Sequence, residues 1–281
     1  MLRYAYNTNG ASNHRLEDAL GLIADSGYDG VALTLDHHHF DPFAPRLDHR
    51  ASRLSSRLDE LELDLVVETG ARFLLNPRQK HEPTLIHPSE NGRDRRIEFL
   101  KRALDVAAIC DGEAVSFWAG RPQDGVDPDE AWSWLVEGVG EVVEAAEERD
   151  VTAAFEPEPG MLVETIDDFY RLQDQIPSLQ LALDTGHCVV TREREPQAAV
   201  RECESDLGTV AIEDMKRGVH EHLFFGEGDM DIPAILSALD DVGFDRLVCV
   251  ELSRASPTAH ETVPDAIDYL ESAEQSLAGA R

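Results

Sequence analysis

Ala153-Ala154-Phe155-Glu156-Pro157-Glu158-Pro159-Gly160 is the stretch that decides how this chain reads. A short apolar run stops abruptly on a carboxylate and then on proline and glycine. The same construction returns at Leu181-Ala182-Leu183-Asp184-Thr185-Gly186-His187, at Val210-Ala211-Ile212-Glu213-Asp214-Met215 and at Cys249-Val250-Glu251-Leu252. Near-continuous apolar runs are the mark of parallel strands buried on both faces.

Outward from these runs, strands are expected at residues 2–6, 30–35, 64–68, 114–118, 151–155, 180–183, 209–212 and 247–250. Between them, apolar residues recur at helical spacing. Leu16, Leu20 and Ile23 share one face of a helix over 14–26. Ile97, Leu100, Leu104 and Ala108 do so over 93–109, and Ile235, Leu236 and Leu239 over 232–242. A helix over 128–149 opens on Pro128, an early helical position that suits proline. Helices over 47–61, 165–175, 196–207 and 263–277 complete the set. Strict alternation of strand and helix predicts an α/β chain folded as a single (β/α)8 TIM barrel. An open doubly wound sheet lacks its fingerprint, because Asn7-Thr8-Asn9-Gly10 after the first strand is not G-x-G-x-x-G. With no linker in sight, residues 1–281 are expected to form one domain. The longest irregular stretch, 70–91 with Pro77, Pro83 and Pro88, reads as a lid.

Composition narrows the function classes. Twenty-five basic against 56 acidic residues give a net charge of −31, spread along the chain, and only Lys80, Lys101 and Lys216 are lysines. Such a surface repels itself at low ionic strength and is relieved by salt. A halophilic protein from a salty cytoplasm is the expectation, with an ordinary acidic enzyme as the plain alternative. Nucleic acid is not favoured, since binding it needs Lys and Arg to displace counterions. Hydrophobic content of 42% excludes a disordered chain. No apolar run approaches the ~20 residues of a membrane span. The opening MLRYAYNTNG lacks the basic region and apolar stretch of a signal peptide. Cys110, Cys188, Cys203 and Cys249 show neither metal nor disulfide spacing, which suits a reducing cytoplasm.

In a barrel the reacting groups sit at the carboxyl ends of the strands. Glu156, Asp184 and Glu251 all fall there, with His187 three residues after Asp184. Burying bare carboxylates is costly unless they are paired or bind a metal. Three carboxylates and an imidazole suit Mn, Mg, Co or Zn. Each residue also has a plain reading. Glu156 can face solvent, Asp184 can cap a following helix, and Glu251 can pair with Arg254 or Arg217. His220 and His222 lie on the loop after strand seven, as metal ligands or as surface histidines. Gly226-Glu227-Gly228-Asp229 reads as a turn whose N–H groups face an anion, or as a turn plus a helix cap from Asp229 or Asp231. His37-His38-His39 reads as a solvated loop, one of its members being a possible substrate contact. Arg72 is suited to gripping a carboxylate or phosphate, or to pairing with Glu68 or Glu82. Trp118 walls a sugar pocket or simply packs. No G-x-S-x-G and no P-loop motif occurs.

Taken in order, Phe155-Glu156-Pro157-Glu158, Leu183-Asp184-Thr185-Gly186-His187, Ile212-Glu213-Asp214, Phe225-Gly226-Glu227-Gly228-Asp229 and Val250-Glu251 resemble the xylose-isomerase-like barrel superfamily, the sugar phosphate isomerase/epimerase group. The resemblance spans nearly the whole chain. It implies one divalent metal held by Glu156, Asp184 and Glu251. The fourth ligand of the pattern, a histidine on strand seven, falls on Ala211. His222 or His220 then swings in, water fills the gap, or the site is lost. The related endonuclease branch uses a similar histidine pair ahead of a Gly-Glu-Gly turn. The resemblance further implies substrate contacts from His187 and Arg217, and Glu158 lies in its strand-five motif. The implied partner is a small-molecule sugar or sugar phosphate, and a homodimer is common in the group.

The expected reaction is proton transfer α to a carbonyl through an enediolate, with Glu156 and Glu251 on opposite faces of the carbon. The competing readings are an endonuclease-type metal phosphodiesterase and a non-catalytic sugar-binding barrel that has lost one ligand. The phosphodiesterase reading is weakened by the missing basic patch and by Trp118, where that branch is expected to place a histidine.

Overall fold

The computed structural model describes residues 2–280. Its centre is a closed parallel barrel of eight strands. These are β1 (Arg3–Asn7), β2 (Gly30–Thr34), β3 (Asp64–Glu68), β4 (Ala114–Phe117), β5 (Thr152–Phe155), β6 (Gln180–Asp184), β7 (Leu207–Ile212) and, after a hairpin, β10 (Leu247–Val250). Each pairs with its neighbours in parallel, and β10 closes the ring between β7 and β1. The (β/α)8 expectation is met. Outside the ring lie α1 (Leu16–Asp25), α2 (Leu47–Leu61), α3 (Glu90–Ile109), α4 (Pro128–Glu147), α5 (Ile166–Gln173), α6 (Thr185–Thr191), α7 (Pro196–Glu202), α8 (Ile232–Asp241) and α9 (Ala259–Ala280).

Helix starts follow local chemistry. Asp127 caps α4 by accepting from the N–H groups of Asp129 and Glu130, with Pro128 just inside. Thr165 and Asp168 form a capping box on α5, and Asp231 caps α8. In α3 the buried face differs from the expected stripe. Ile97, Leu100 and Leu104 are buried as expected. Ala108 is exposed, and Ala103, Val106 and Ala107 take the inner side, together with Arg96.

Period-two alternation sorts the strands into two populations. Outward-facing residues such as Tyr6, Leu33, Val67, Val115, Phe155, Leu183, Val210 and Val250 join the large core between barrel and helices. The barrel interior is filled lower down by small groups: Ala5, Ala32, Val66 and Cys249 on one side, Ala114, Ala154 and Ala182 on the other. One step further along each strand comes a polar layer of Asn7, Thr34, Glu68, Ser116, Glu156, Asp184 and Glu251, broken only by Ala211. The register fixes this layer, with Thr34 opposite Glu68, Glu68 opposite Ser116 and Asp184 opposite Ala211. Small side chains beneath leave a cavity of ≈ 30 Å³ under the carboxylates, about the size of one water.

Two elements lie beyond the sequence reading. The loop after β7 is an antiparallel hairpin, β8 (Asp214–Lys216) and β9 (Val219–Leu223). Directly after β6 the chain turns into the short α6. No helix among the described residues is long and apolar enough to cross a membrane.

Candidate active site

The polar layer opens into a pocket of ≈ 340 Å³ at the carboxyl ends of the strands. Glu156, Glu158, His187, His220, His222, Glu251, Arg72 and Trp118 all line it, as do Asn9, Glu68, Lys80 and His81.

Asp184 is the centre of the arrangement. It is 3% exposed, and its two oxygens have different tasks. Oδ1 accepts from the N–H groups of Gly186 (2.8 Å) and His187 (3.1 Å), capping α6. Oδ2 has no hydrogen-bond partner among the described residues. The helix-cap reading and the ligand reading of this residue therefore coexist, one on each oxygen.

Two groups of potential ligands share Asp184. One contains Glu156 and His187, the other Glu213 and His222. His187 donates Nδ1–H to the Pro157 carbonyl at 3.0 Å, because that oxygen can only accept. In the neutral ring this leaves the Nε2 lone pair facing Asp184 Oδ2 at 3.4 Å. Two acceptors facing each other need a cation or a second proton between them. His220 Nε2 lies 3.2 Å from the same His187 nitrogen. In the second group His222 Nδ1 stands 3.8 Å from Glu213 Oε2, too far for a hydrogen bond. Neither Glu213 oxygen nor His222 Nδ1 has a hydrogen-bond partner among the described residues. Buried carboxylate oxygens and an imidazole nitrogen left without a partner are what a divalent ion satisfies, and carboxylate plus imidazole is its usual ligand chemistry. The residues present fit a divalent metal.

The hairpin explains how His222 reaches the site. His220 and His222 are two residues apart on β9, so both project from one face. Ala211 faces the cavity below, opposite Asp184. His222 thus joins Asp184 from a neighbouring element, where strand seven itself has no donor. Glu251 stands outside both groups. It lines the same pocket, accepts from Asn9 Nδ2 at 2.9 Å, and pairs with neither Arg254 nor Arg217. Glu213 is a ligand candidate beyond those expected; its signal was the carboxylate ending the strand-seven run.

The electrostatics match a crowded acidic mouth. Burial pushes the Glu156 carboxyl well above its ordinary value, and Glu158, Asp184 and Glu251 push the same way. Glu158 is raised by burial as well. Burial also works against the Asp184 carboxylate, but His187 and His222 outweigh it and hold the group below its usual range. Burial pulls His222 down, yet Glu251 and Glu213 raise it to about 10. Burial and His187 push His220 down to about 4. Burial raises Glu68 to about 7, aided by Glu251.

Other expected residues are distributed as follows. Trp118 walls the pocket, its ring covered on one face by the guanidinium of Arg96 at 4.3 Å and met edge-on by His81. Arg96 is fully buried, a contact no apolar pattern reveals. Arg72 pairs with neither Glu68 nor Glu82; it donates to the Asn9 carbonyl at 3.1 Å. Arg217 is not brought to the mouth. It is exposed and paired with Glu195 at 2.7 Å. The turn at Gly226–Asp229 holds no free anion-facing N–H pair, because Gly226 and Gly228 both donate to Asp214 at 2.9 Å. Asp229 accepts from the Arg217 N–H, and Asp231 caps α8. Asp36, His37 and His38 gather after β2, with both histidines exposed.

Comparison with known proteins agrees with this architecture. The family model for the xylose isomerase-like TIM barrel matches residues 20–273, and the chain belongs to that family. The structure of an L-ribulose 3-epimerase superposes with a TM-score of 0.78 at 18% identity, covering 100% of this chain and 98% of that one. A structure of the IolI protein with a binding zinc atom gives 0.74 at 19% identity, covering 97% and 96%. A D-allulose 3-epimerase from Methylomonas sp. in complex with D-allulose gives 0.74 at 15% identity, covering 96% of each chain. At these identities the likeness is one of fold. No curated protein matches the chain.

Proposed function

We propose that the chain is a metal-dependent isomerase or epimerase of a small sugar, moving a proton at the carbon next to a carbonyl. The observation that carries this reading is the set of unpartnered buried carboxylate and imidazole atoms around Asp184, beside a pocket lined by Glu156 and Glu251. Sugar epimerases and a zinc-binding protein among the structural relatives support it.

Asp184 would hold the ion together with Glu213 and His222 on one side or Glu156 and His187 on the other, with Glu251 as a further carboxylate lining the mouth. The ion would act as a Lewis acid toward the substrate's carbonyl and hydroxyl oxygens. Glu156 and Glu251 end β5 and β10, which are three positions apart around the ring. They therefore approach a ligand in the mouth from different sides. One removes the proton and the other delivers it, as inversion at carbon requires. Asn9 orients Glu251 through its amide. Trp118 supplies an apolar wall against a sugar ring face.

The test is exchange of the α-hydrogen of candidate ketoses in D2O, followed by NMR, with Mn2+ or Zn2+ supplied. Wild type is expected to exchange. Glu156→Gln and Glu251→Gln should each lose on the order of 10² or more in rate. Undiminished exchange in both variants would overturn the assignment.

A further inference from the structure

His37-His38-His39 follows β2, and none of the three rings lines the pocket at the mouth. They divide into two kinds. His39 is 7% exposed, and its Nε2 meets the His14 carbonyl at 3.2 Å. His37 and His38 stay exposed. Together with Asp36 they form a group whose ligand atoms lie within 4.8 Å of one another.

Asp36 separates this group from an ordinary patch of surface histidines. It is completely buried, and its Oδ1 accepts from the N–H groups of His38 (3.2 Å) and His39 (2.9 Å). Its Oδ2 is buried and has no hydrogen-bond partner among the described residues. A buried carboxylate oxygen without a donor is costly unless a proton or a cation meets it. Asp184 at the mouth divides its oxygens in the same way, one on backbone N–H groups and one without a partner.

His38 adds a second donor. Its Nε2 lies 2.6 Å from the Ser12 carbonyl, which can only accept, so Nε2 carries the proton. In the neutral ring the Nδ1 lone pair then faces the Asp36 carboxylate at 3.3 Å. Neighbouring ligands of a tetrahedral ion bound at about 2.0–2.1 Å stand about 3.3–3.4 Å apart. The pair therefore already has the spacing of two ligands on one ion. The His37 ring, with its centroid 4.7 Å from that of His38, is exposed and free to turn into the third position.

We propose that Asp36, His37 and His38 form a transition-metal site outside the mouth, with the fourth position left to water. Two imidazoles and one carboxylate favour Zn2+, Co2+, Ni2+ or Cu2+ over Mg2+ and Ca2+, which take oxygen ligands. The filled site clamps the loop after β2 onto the segment after β1, because His38 is bonded to Ser12. From there the Ser12 and Ser256 hydroxyls share a hydrogen bond of 2.7 Å, and Ser256 donates to the Asn9 carbonyl at 3.0 Å. Asn9 is the residue whose amide holds Glu251. The site needs no assumption about the reaction at the mouth.

The test is Zn2+ content by equilibrium dialysis at pH 8, where a free imidazole is neutral. A three-ligand site open to solvent is expected to bind with a Kd on the order of 10 μM, so about 100 μM free Zn2+ fills it. Wild type should then hold about one ion more than H37Q/H38Q, whose two changes lie at exposed positions. Asp36→Asn should lose the same ion, and Asp184→Asn should keep it. Filling the site should slow amide exchange over residues 12–14 and 36–39 in wild type and not in H37Q/H38Q. Equal Zn2+ content in wild type and H37Q/H38Q would overturn the proposal. So would amide exchange that Zn2+ leaves unchanged, or a His38 ring that nitrogen NMR shows doubly protonated at pH 8 with Zn2+ present, which would make the contact with Asp36 a plain ion pair. None of these results bears on the mouth, whose ion is followed through Asp184→Asn.

Discussion

Asp214→Asn is the perturbation that best separates this structure from its sequence reading. Asp214 is fully buried at the start of the hairpin. Its Oδ2 accepts from the N–H groups of Gly226 and Gly228, both at 2.9 Å, and its Oδ1 from Met230 at 3.1 Å. A Cβ on residue 228 would collide with that carboxylate, so glycine is required there. An amide can keep only one oxygen. The lesser loss turns its NH2 toward Met230, which sets donor against donor and removes one of three bonds. A hydrogen bond to a charged group contributes ~1.5–3 kcal/mol, and the two surviving bonds lose their charge assistance. The expected destabilisation is about 2–3 kcal/mol, or a Tm lowered by roughly 3–5 °C in a chain of this size. Because Asp214 pairs with Leu223 at the end of β9, the strand that carries His222 loosens with it. Metal affinity should fall by about tenfold, as for lost support behind a ligand. Thermal unfolding with and without Mn2+, and a metal titration, measure both. A variant within 0.5 kcal/mol of wild type, with unchanged metal affinity, would refute the anchoring role.

Two further outcomes follow from charge. At −31 the folded chain should gain stability between 0.1 M and 3 M KCl, as the screening length falls from ~10 Å to below ~3 Å; equal midpoints at both salts would show that self-repulsion is not a significant force in it. Glu68 is raised from 4.5 to about 7 by burial and Glu251. Between those values the folded chain keeps a proton that the unfolded chain has released, so stability at this residue falls as pH rises through the window. Glu68→Gln should therefore be more stable than wild type by on the order of 2 kcal/mol at pH 8, with the advantage gone near pH 4.5; a constant difference across that range in urea melts would contradict the assignment.

The barrel was legible because its strands are short apolar runs that stop on polar residues. Residues 64–68 and 247–250 are strands with the expected bounds, and the others shift by one or two residues. The mouth was legible for a related reason: Glu156, Asp184 and Glu251 each occupy the first polar position after an apolar run. What the sequence hid depends on tertiary closure. His220 and His222 sit on a strand only because the chain doubles back on β8, and nothing in Val219–Leu223 has an apolar alternation to announce it. The Gly-Glu-Gly turn looked open to an external anion. Its N–H groups are instead taken by Asp214, twelve and fourteen residues away. Arg96 sits among apolar positions of α3 and packs under Trp118, which hydropathy periodicity cannot anticipate. The loop after β3 closes on itself through one backbone bond, from the His81 N–H to the Arg72 carbonyl, which no local sequence pattern announces.

Metal stoichiometry tests the central claim most directly. Chelator-stripped chain, dialysed to equilibrium against micromolar Mn2+ or Zn2+, is expected to hold about one ion per chain at the mouth, and Asp184→Asn to lose it. Less than about one tenth of an ion per wild-type chain, or the same content in the Asp184 variant, would contradict the account.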